Sequence, residues 1–246
     1  MTKGVAIVTG GTGGIGTAIC QRLAADYQVV ACYFKSGRHE EAKQWQAEQK
    51  KLGFDVDIIY GDVANFEDCE KLIAQILERY HRIDVLINNA GITQDCSLRK
   101  MSPEQWQHVL DANLTSVFNM TRNVIPHMLD NGYGRIVSIS SINGRKGQFG
   151  QCNYASTKAA LFGFTKSLAL EVANKGVTVN TVSPGYIETS MLTALKQEIL
   201  DGIIANIPVG RLGYPKEIAD AVAFFVAQDS GFITGANLDI NGGQYM

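Results

Sequence analysis

This 246-residue chain lacks the marks of a disulfide or metal scaffold. Its five cysteines (Cys20, Cys32, Cys69, Cys96, Cys152) are odd in number, scattered and without CxxC spacing, which fits a reducing compartment and excludes a zinc ribbon. The four histidines, His39, His81, His108 and His127, show no ligand spacing, so no metal is expected. An excess of one charge is missing too. With 22 basic against 24 acidic residues, net -2, there is no support for a nucleic-acid partner. Long apolar runs are absent: the clearest, 221–227, falls far short of the ~20 residues a spanning helix needs, so no membrane partner is expected. The N-terminus runs straight into a strand-like segment without the regions of a signal peptide, and the expected location is cytoplasmic. Proline, at 5 residues, does not accompany the glycine and no triplet period is present, which excludes a collagen-like chain. There is no internal repeat, low-complexity tract or linker, so residues 1–246 are expected to form one domain.

What is present is glycine, 25 residues against a background near ~7%, and a regular alternation of patterns. Short β-branched runs at 5–9, 29–34, 57–60, 85–88, 135–140, 177–183 and 238–240 read as strands, and their near-continuous apolarity suits strands buried on both faces. Stretches of helical length lie between them, at 14–25, 38–52, 66–80, 103–111, 114–130, 154–174 and 215–228. Ser102-Pro103-Glu104-Gln105 carries a capping-box pattern with proline in the first turn, and Asn65 with Asp68 suggests a similar start for the third helix. Seven such alternations predict an α/β fold with a doubly wound, seven-stranded parallel sheet and helices on both faces. Residues 186–214 break the rhythm while keeping helical pattern, where a substrate lid would sit.

The first strand leads into Gly10-Gly11-Thr12-Gly13-Gly14-Ile15-Gly16 at the start of a helix. Glycines there let the chain turn tightly and let backbone N–H groups approach an anion, while the helix offers its positive end to a pyrophosphate. No Lys-Ser/Thr closes the turn, so it is not a P-loop; a dinucleotide site fits. Methyltransferases that use S-adenosylmethionine also begin this way. After the second strand the chain reads Lys35-Ser36-Gly37-Arg38 with no acid until Glu40. A carboxylate there would accept ribose hydroxyls and repel a 2′-phosphate, whereas Arg38 offers a planar fork beside Lys35. NADP(H) is therefore expected in preference to NAD(H), although both cations also suit an ordinary surface.

Tyr154 and Lys158 stand four apart at a helix start, which places them on one face with about 6 Å of rise. A nearby ammonium favours the phenolate and would lower the tyrosine pKa from about 10. Alone, such a pair is often a surface contact. Ser141, at the end of the fifth strand, adds a hydroxyl able to reach the same carbonyl oxygen.

Taken together, Thr9-Gly-x3-Gly-x-Gly16, Asn88-Asn-Ala-Gly91, Ser141, Tyr154-x3-Lys158 and Pro184-Gly185 resemble the short-chain dehydrogenase/reductase superfamily in order and spacing over essentially the whole chain. The resemblance displaces the methyltransferase reading. It implies a Rossmann sheet, with Tyr154 as general acid, Lys158 as its pKa-lowering and ribose-holding partner, Ser141 bonding the developing alkoxide, and Asn113 placing a relay water. It also implies cofactor contacts at Asp62 and Val63, at Asn89, Ala90 and Gly91, and at Pro184, Gly185, Ile187 and Thr189. Within the superfamily, residues 13–23, 89–101, 146–151 and 175–186 are similar to the acetoacetyl-CoA reductases of polyhydroxybutyrate synthesis. That likeness implies an acyl-CoA substrate met by Asp95, Lys100, Ser141, Gln148, Phe149, Gln151 and Tyr186, an (R)-3-hydroxy product, and a homotetramer packed through a helix expected to be buried all round. Reductases acting on carrier-protein thioesters are the alternative, but Asp130-Asn131-Gly132-Tyr133 and Leu170 stand where those carry docking cations. A non-catalytic nucleotide-binding scaffold is the third reading, opposed by the intact Ser–Tyr–Lys set.

Overall fold

The chain was analysed as a computed structural model that describes residues 3–34, 39–193 and 196–246. Lys35 and Arg38 lie outside the described residues.

Seven strands, β1 (Gly4–Thr9), β2 (Tyr27–Tyr33), β3 (Val56–Tyr60), β4 (Val85–Asn88), β5 (Gly134–Ile139), β6 (Val177–Pro184) and β7 (Asn237–Ile240), form one sheet in the order β3-β2-β1-β4-β5-β6-β7. Every pairing is parallel, so each crossover needs a helix. The main helices are α1 (Gly14–Leu23), α2 (His39–Lys51), α3 (Phe66–Tyr80), α4 (Pro103–Leu110), α5 (Ser116–Asp130), α6 (Ile142–Lys146), α7 (Cys152–Val172), α8 (Ser190–Thr193), α9 (Gln197–Ile204) and α10 (Pro215–Val226). Successive residues of β1 serve opposite faces, Ala6 and Val8 packing with α1 and α10, Val5 and Ile7 with α3 and α5. That two-sided burial accounts for the unbroken apolar runs of the inner strands. β7, at the sheet edge, is only half-buried throughout.

The capping box at Ser102 is formed, its hydroxyl accepting from Gln105 N at 3.2 Å while Gln105 Oε1 accepts from Ser102 N at 3.0 Å. Asn65 caps α3 by accepting from Asp68 N at 2.9 Å. Two features differ from the sequence expectations. The interruption expected between the helices at 103–111 and 114–130 is instead a π-helical turn, Asp111–Thr115, carrying α4 into α5. The short helix α6 follows β5, where no helix was expected.

The strand order reverses direction between β1 and β4. In an open parallel sheet the crevice beyond the carboxyl ends of such a pair is where a ligand binds.

Candidate active site

The glycine turn leaves β1 at that crevice. Gly10 has φ +62°, a left-handed conformation that disfavours any side chain, and a Cβ on Gly16 would lie 2.2 Å from Gly10 O. Gly13 and Gly14 are exposed at the start of α1, and no side chain caps that helix, so its first N–H groups face outward from the turn. This bare backbone cradle fits an anionic group. Thr189 reaches over it, its Cγ2 3.0 Å from where a Cβ of Gly14 would stand. Gly185, in turn, is pressed against Asn241, whose Cα a Cβ would meet at 2.8 Å.

The end of β4 is tied to the turn by side chains. Thr9 Oγ1 accepts from Asn89 N and Ala90 N, both at 3.0 Å, and Asn89 Nδ2 donates to Thr9 O at 2.9 Å and Gly10 O at 3.2 Å. Asp62 follows β3 half-buried and accepts from Ala64 N at 2.9 Å. Val63 is buried, and its carbonyl accepts from Asn119 Nδ2 at 3.1 Å. Gly91 brings the β4 turn to Asn113 and Lys158: a Cβ there would stand 3.0 Å from Asn113 Oδ1 and 3.4 Å from Lys158 Nζ.

Asn113 sits within the π-helical turn and is fully buried. Its amide closes a two-way bond with Ile92, accepting from Ile92 N at 2.7 Å and donating to Ile92 O at 2.9 Å. π-turns are rare and cluster at functional sites. Ser141 caps α6, its Oγ accepting from Asn143 N at 3.1 Å. Tyr154 and Lys158 lie in the first two turns of α7, with Lys158 Nζ 5.7 Å from the Tyr154 ring centre. Burial pushes the Lys158 ammonium down to about 8, and Nζ donates to Ile139 O at 2.7 Å. The Tyr154 hydroxyl stands above its ordinary value because burial raises it; the bond with the Ser141 hydroxyl pulls it down and the Asp95 charge pushes it up. Lys158 does not supply the lowering expected of it, since its ammonium is turned to the Ile139 carbonyl. A phenol of this kind stays protonated at neutral pH and serves as a proton donor.

The residues expected at the acyl end divide into two sets. Gln148 and Tyr186 line a cavity of about 450 Å³ together with Ile199, Ile203 and Asn206 of the 186–214 segment and Gln244 of the C-terminal tail. Phe149 is 89% exposed beside it. Lys100 is exposed in a short turn, Leu98–Lys100. Asp95 and Gln151 instead face each other, Gln151 Nε2 donating to Asp95 Oδ2 at 2.7 Å. Ile187 is buried, forming a bridge with Gly213 that anchors the segment at its two ends. Sequence reasoning missed Asn143 and Asn153. Asn153 accepts from Tyr154 N at 2.8 Å and donates to Gln94 O at 3.1 Å, clamping the tyrosine turn to the loop after β4. Neither asparagine lies in a motif that would have drawn attention to it.

Cys152 is exposed at the start of α7, and no cluster of His, Cys, Asp and Glu suited to a metal occurs among the described residues. No helix of the described residues is long and apolar enough to cross a membrane.

Residues 4–200 match the family model described as short chain dehydrogenase. The chain is 55% identical to an acetoacetyl-CoA reductase of Cupriavidus necator over the full length of both proteins. It is 48% identical to an acetoacetyl-CoA reductase of Allochromatium vinosum, covering 98% of each chain. A 3-oxoacyl-acyl-carrier-protein reductase of Vibrio cholerae is 43% identical, with 98% of this chain and 97% of the relative covered.

Proposed function

The chain belongs to the short-chain dehydrogenase family and is an oxidoreductase acting on a CH–OH/C=O group; from that premise we propose that it reduces acetoacetyl-CoA to (R)-3-hydroxybutyryl-CoA with NADPH. The observation that carries the chemistry is the convergence of Ser141, Tyr154 and Lys158 at the mouth of the β1/β4 crevice, next to the bare N-terminus of α1. The name of the 55%-identical relative carries the substrate.

Gly10, Thr12, Gly13, Gly14, Ile15 and Gly16 would hold the pyrophosphate, with Asp62 and Val63 at the adenine. Asn89, Ala90 and Gly91 would lie along the nicotinamide half, capped by Pro184, Gly185, Ile187 and Thr189. Lys35 and Arg38 would meet the 2′-phosphate of NADP(H). A nicotinamide dinucleotide bound there supplies hydride to the carbonyl carbon. Tyr154 delivers the proton of its hydroxyl to the carbonyl oxygen, and Ser141 donates a hydrogen bond to that oxygen as its charge develops. Lys158 holds its positive charge at neutral pH and would orient the ribose end of the site. Asn113 keeps the 89–93 loop in register with Lys158, and its position in the π-turn suits a water relay.

Gln148, Phe149, Tyr186 and Lys100 would receive the acyl–pantetheine arm, with Asp95 and Gln151 at the edge of the same pocket, and residues 186–214 would act as its lid. The reading over a carrier-protein substrate rests on charge: Leu170 is 87% exposed and Asp130 is exposed, where an acidic carrier would need cations. A homotetramer is supported by the outward face of α7. Contrary to the expectation of all-round burial, Ser156, Ala159, Gly163 and Leu170 are open to solvent in the single chain, alongside a half-exposed Phe118 on α5. The described residues expected at the site stand at the ends of strands of one seven-stranded sheet or on the elements that follow them, in keeping with a single domain, and the chain's reducing-type cysteine use suits the cytoplasm.

The deciding experiment compares kcat/KM for acetoacetyl-CoA and for the matched acetoacetyl carrier-protein thioester, with NADPH and with NADH. Preference for the CoA ester and NADPH is expected. Preference for the carrier-protein thioester would overturn the substrate assignment.

A further inference from the structure

The bond between Asp95 and Gln151 has a consequence for Ser141. Asp95 is exposed, and its carboxylate oxygens offer hydrogen-bond acceptors. Gln151 must therefore turn its Nε2 toward Asp95, at 2.7 Å, which leaves Oε1 facing the other way. That oxygen can only accept, so Asn143 must present Nδ2 to it, at 2.9 Å. The backbone N–H of the same residue donates to Ser141 Oγ at 3.1 Å, so the side-chain bond that holds Asn143 in place also holds this donor in place. With that lone pair engaged, the Ser141 hydroxyl is left directed at Tyr154, whose pKa it lowers.

Both intermediate amides are buried, Gln151 at 9% and Asn143 at 8% exposure, so neither reorients freely in water. The polarity also explains an otherwise puzzling cost. Asn143 Oδ1 is buried without a hydrogen-bond partner. Flipping the amide would set two oxygens against each other at Gln151, so the carboxylate two side chains away holds it in place. The same chain joins three separate segments: the loop after β4, which Cys96 N also ties to Gly150 O at 2.9 Å, the helix α6, and the first turn of α7.

We propose that Gln151 and Asn143 are positioning residues for Ser141, with the orientation of both amides dictated by the Asp95 carboxylate. This deepens the reductase reading and rests on it in one respect, that Ser141 serves the carbonyl oxygen. Asp95 and Gln151 thus act through Ser141 as well as bordering the acyl pocket.

The test exchanges charge within the chain of bonds. Gln151→Glu sets two carboxylates together. It should lower kcat about tenfold near pH 8 with KM for acetoacetyl-CoA within about twofold, the signature of a lost transition-state interaction. Activity should recover toward acid pH, where a protonated Glu can again donate to Asp95. Asp95→Asn alone should lower kcat less than Gln151→Glu does, because the new amide can still offer oxygen to Gln151. The double exchange Asp95→Asn/Gln151→Glu keeps every donor and acceptor matched and should restore kcat to within about threefold of wild type.

A raised KM with unchanged kcat in Gln151→Glu would mean direct substrate contact and would overturn the proposal. So would a folded double variant no better than Gln151→Glu. If Gln151→Glu does not fold, the isosteric double variant against Asp95→Asn decides alone. Turnover is read with acetoacetyl-CoA and with the small N-acetylcysteamine thioester. A wild-type chain inert to both sinks the substrate reading only. The positioning is then read from the alkaline ultraviolet titration of Tyr154, taken as the difference from Tyr154→Phe in each background. That titration should move upward in Gln151→Glu and return in the double variant; a titration identical in all three would overturn the proposal.

Discussion

Lys158 Nζ lies 5.7 Å from the centre of the Tyr154 ring and gives its 2.7 Å hydrogen bond to the Ile139 carbonyl, not to the phenol. The two groups are perturbed in opposite directions, the ammonium down to about 8 and the phenol upward, both chiefly by burial. In the direction of reduction the phenol must be protonated and the ammonium charged. The first to fail on raising pH is the ammonium. The expected profile of kcat/KM for reduction is therefore level to about pH 8 and falling above it, since loss of one proton from Lys158 removes the active form. A profile level to pH 10 would show that Lys158 keeps its charge and that the limb belongs elsewhere.

Burying that ammonium costs stability, and the sign fixes where. The folded chain holds Lys158 near 8 and the unfolded chain near its ordinary 10.5, so between those values the unfolded state binds more protons and stability rises with pH. Below about 8 the full penalty applies, ~3 kcal/mol at 1.36 kcal/mol per unit. Lys158→Met removes it while losing the bond to Ile139, worth about 1 kcal/mol. The variant should be inactive yet melt a few degrees higher than wild type at pH 7, by roughly 2–4 °C per kcal/mol. The difference should vanish or reverse above pH 10.5. Thermal melts at the two pH values check it, and a variant less stable than wild type at pH 7 counts against a strongly depressed lysine.

Tyr154 contributes its hydroxyl and little packing that phenylalanine cannot supply. Tyr154→Phe should lower kcat by about 10³, the middle of the range for a general acid, and leave NADPH binding by fluorescence within about twofold. Turnover near the wild-type rate would remove the tyrosine from the mechanism.

The parts of this site legible in the sequence are those set by local geometry. A glycine turn after a strand, a Tyr and Lys one helical turn apart, and alternating strand and helix lengths all follow from backbone sterics and helix periodicity. The 66–80 helix and the 85–88 strand fall on the residues expected. Long-range hydrogen bonds have no such periodicity. Asn143 meets Gln151 across 8 residues, Asn153 meets Gln94 across 59, and Asn89 meets Thr9 across 80, each through a polar side chain whose partner only the fold supplies. The π-turn lies where the sequence pattern places a break between the helices ending at 111 and starting at 114. It continues the helix because a wider turn sets Asn113 inward. The outward face of α7 escaped for a different reason: small and apolar residues on every side look alike whether the covering layer is the sheet or another chain.

The same π-turn yields a stability prediction. Asn113→Ala deletes both bonds to Ile92 and the 3.3 Å bond to Thr157 Oγ1, leaving buried backbone groups unpaired. At about 1 kcal/mol per bond this should destabilise by ~2–3 kcal/mol and lower Tm by roughly 4–10 °C. Activity should fall as well, through displacement of the 89–93 loop from Lys158. A Tm within about a degree of wild type would mean the loop is held by Asn89 and Thr9 alone.

Two glycines of the first turn separate folding from cofactor binding. At Gly16 a Cβ would stand 2.2 Å from Gly10 O and 2.9 Å from Gly11 Cα, both backbone atoms that cannot swing aside. Gly16→Ala should therefore shift the turn itself, lowering yield and Tm along with NADPH affinity. At Gly13 the nearest atom to a new Cβ is Gly10 O at 3.4 Å, an ordinary contact, and the residue has φ −83°, open to any side chain. Gly13→Ala should fold with an unchanged Tm. Its methyl group would nevertheless project from the exposed end of α1, where the pyrophosphate must approach the backbone, so the Kd for NADPH should rise about tenfold or more, equivalent to ~1.4 kcal/mol. Paired melts and fluorescence titrations distinguish the outcomes. Unchanged NADPH affinity in a well-folded Gly13→Ala would place the phosphates away from this turn.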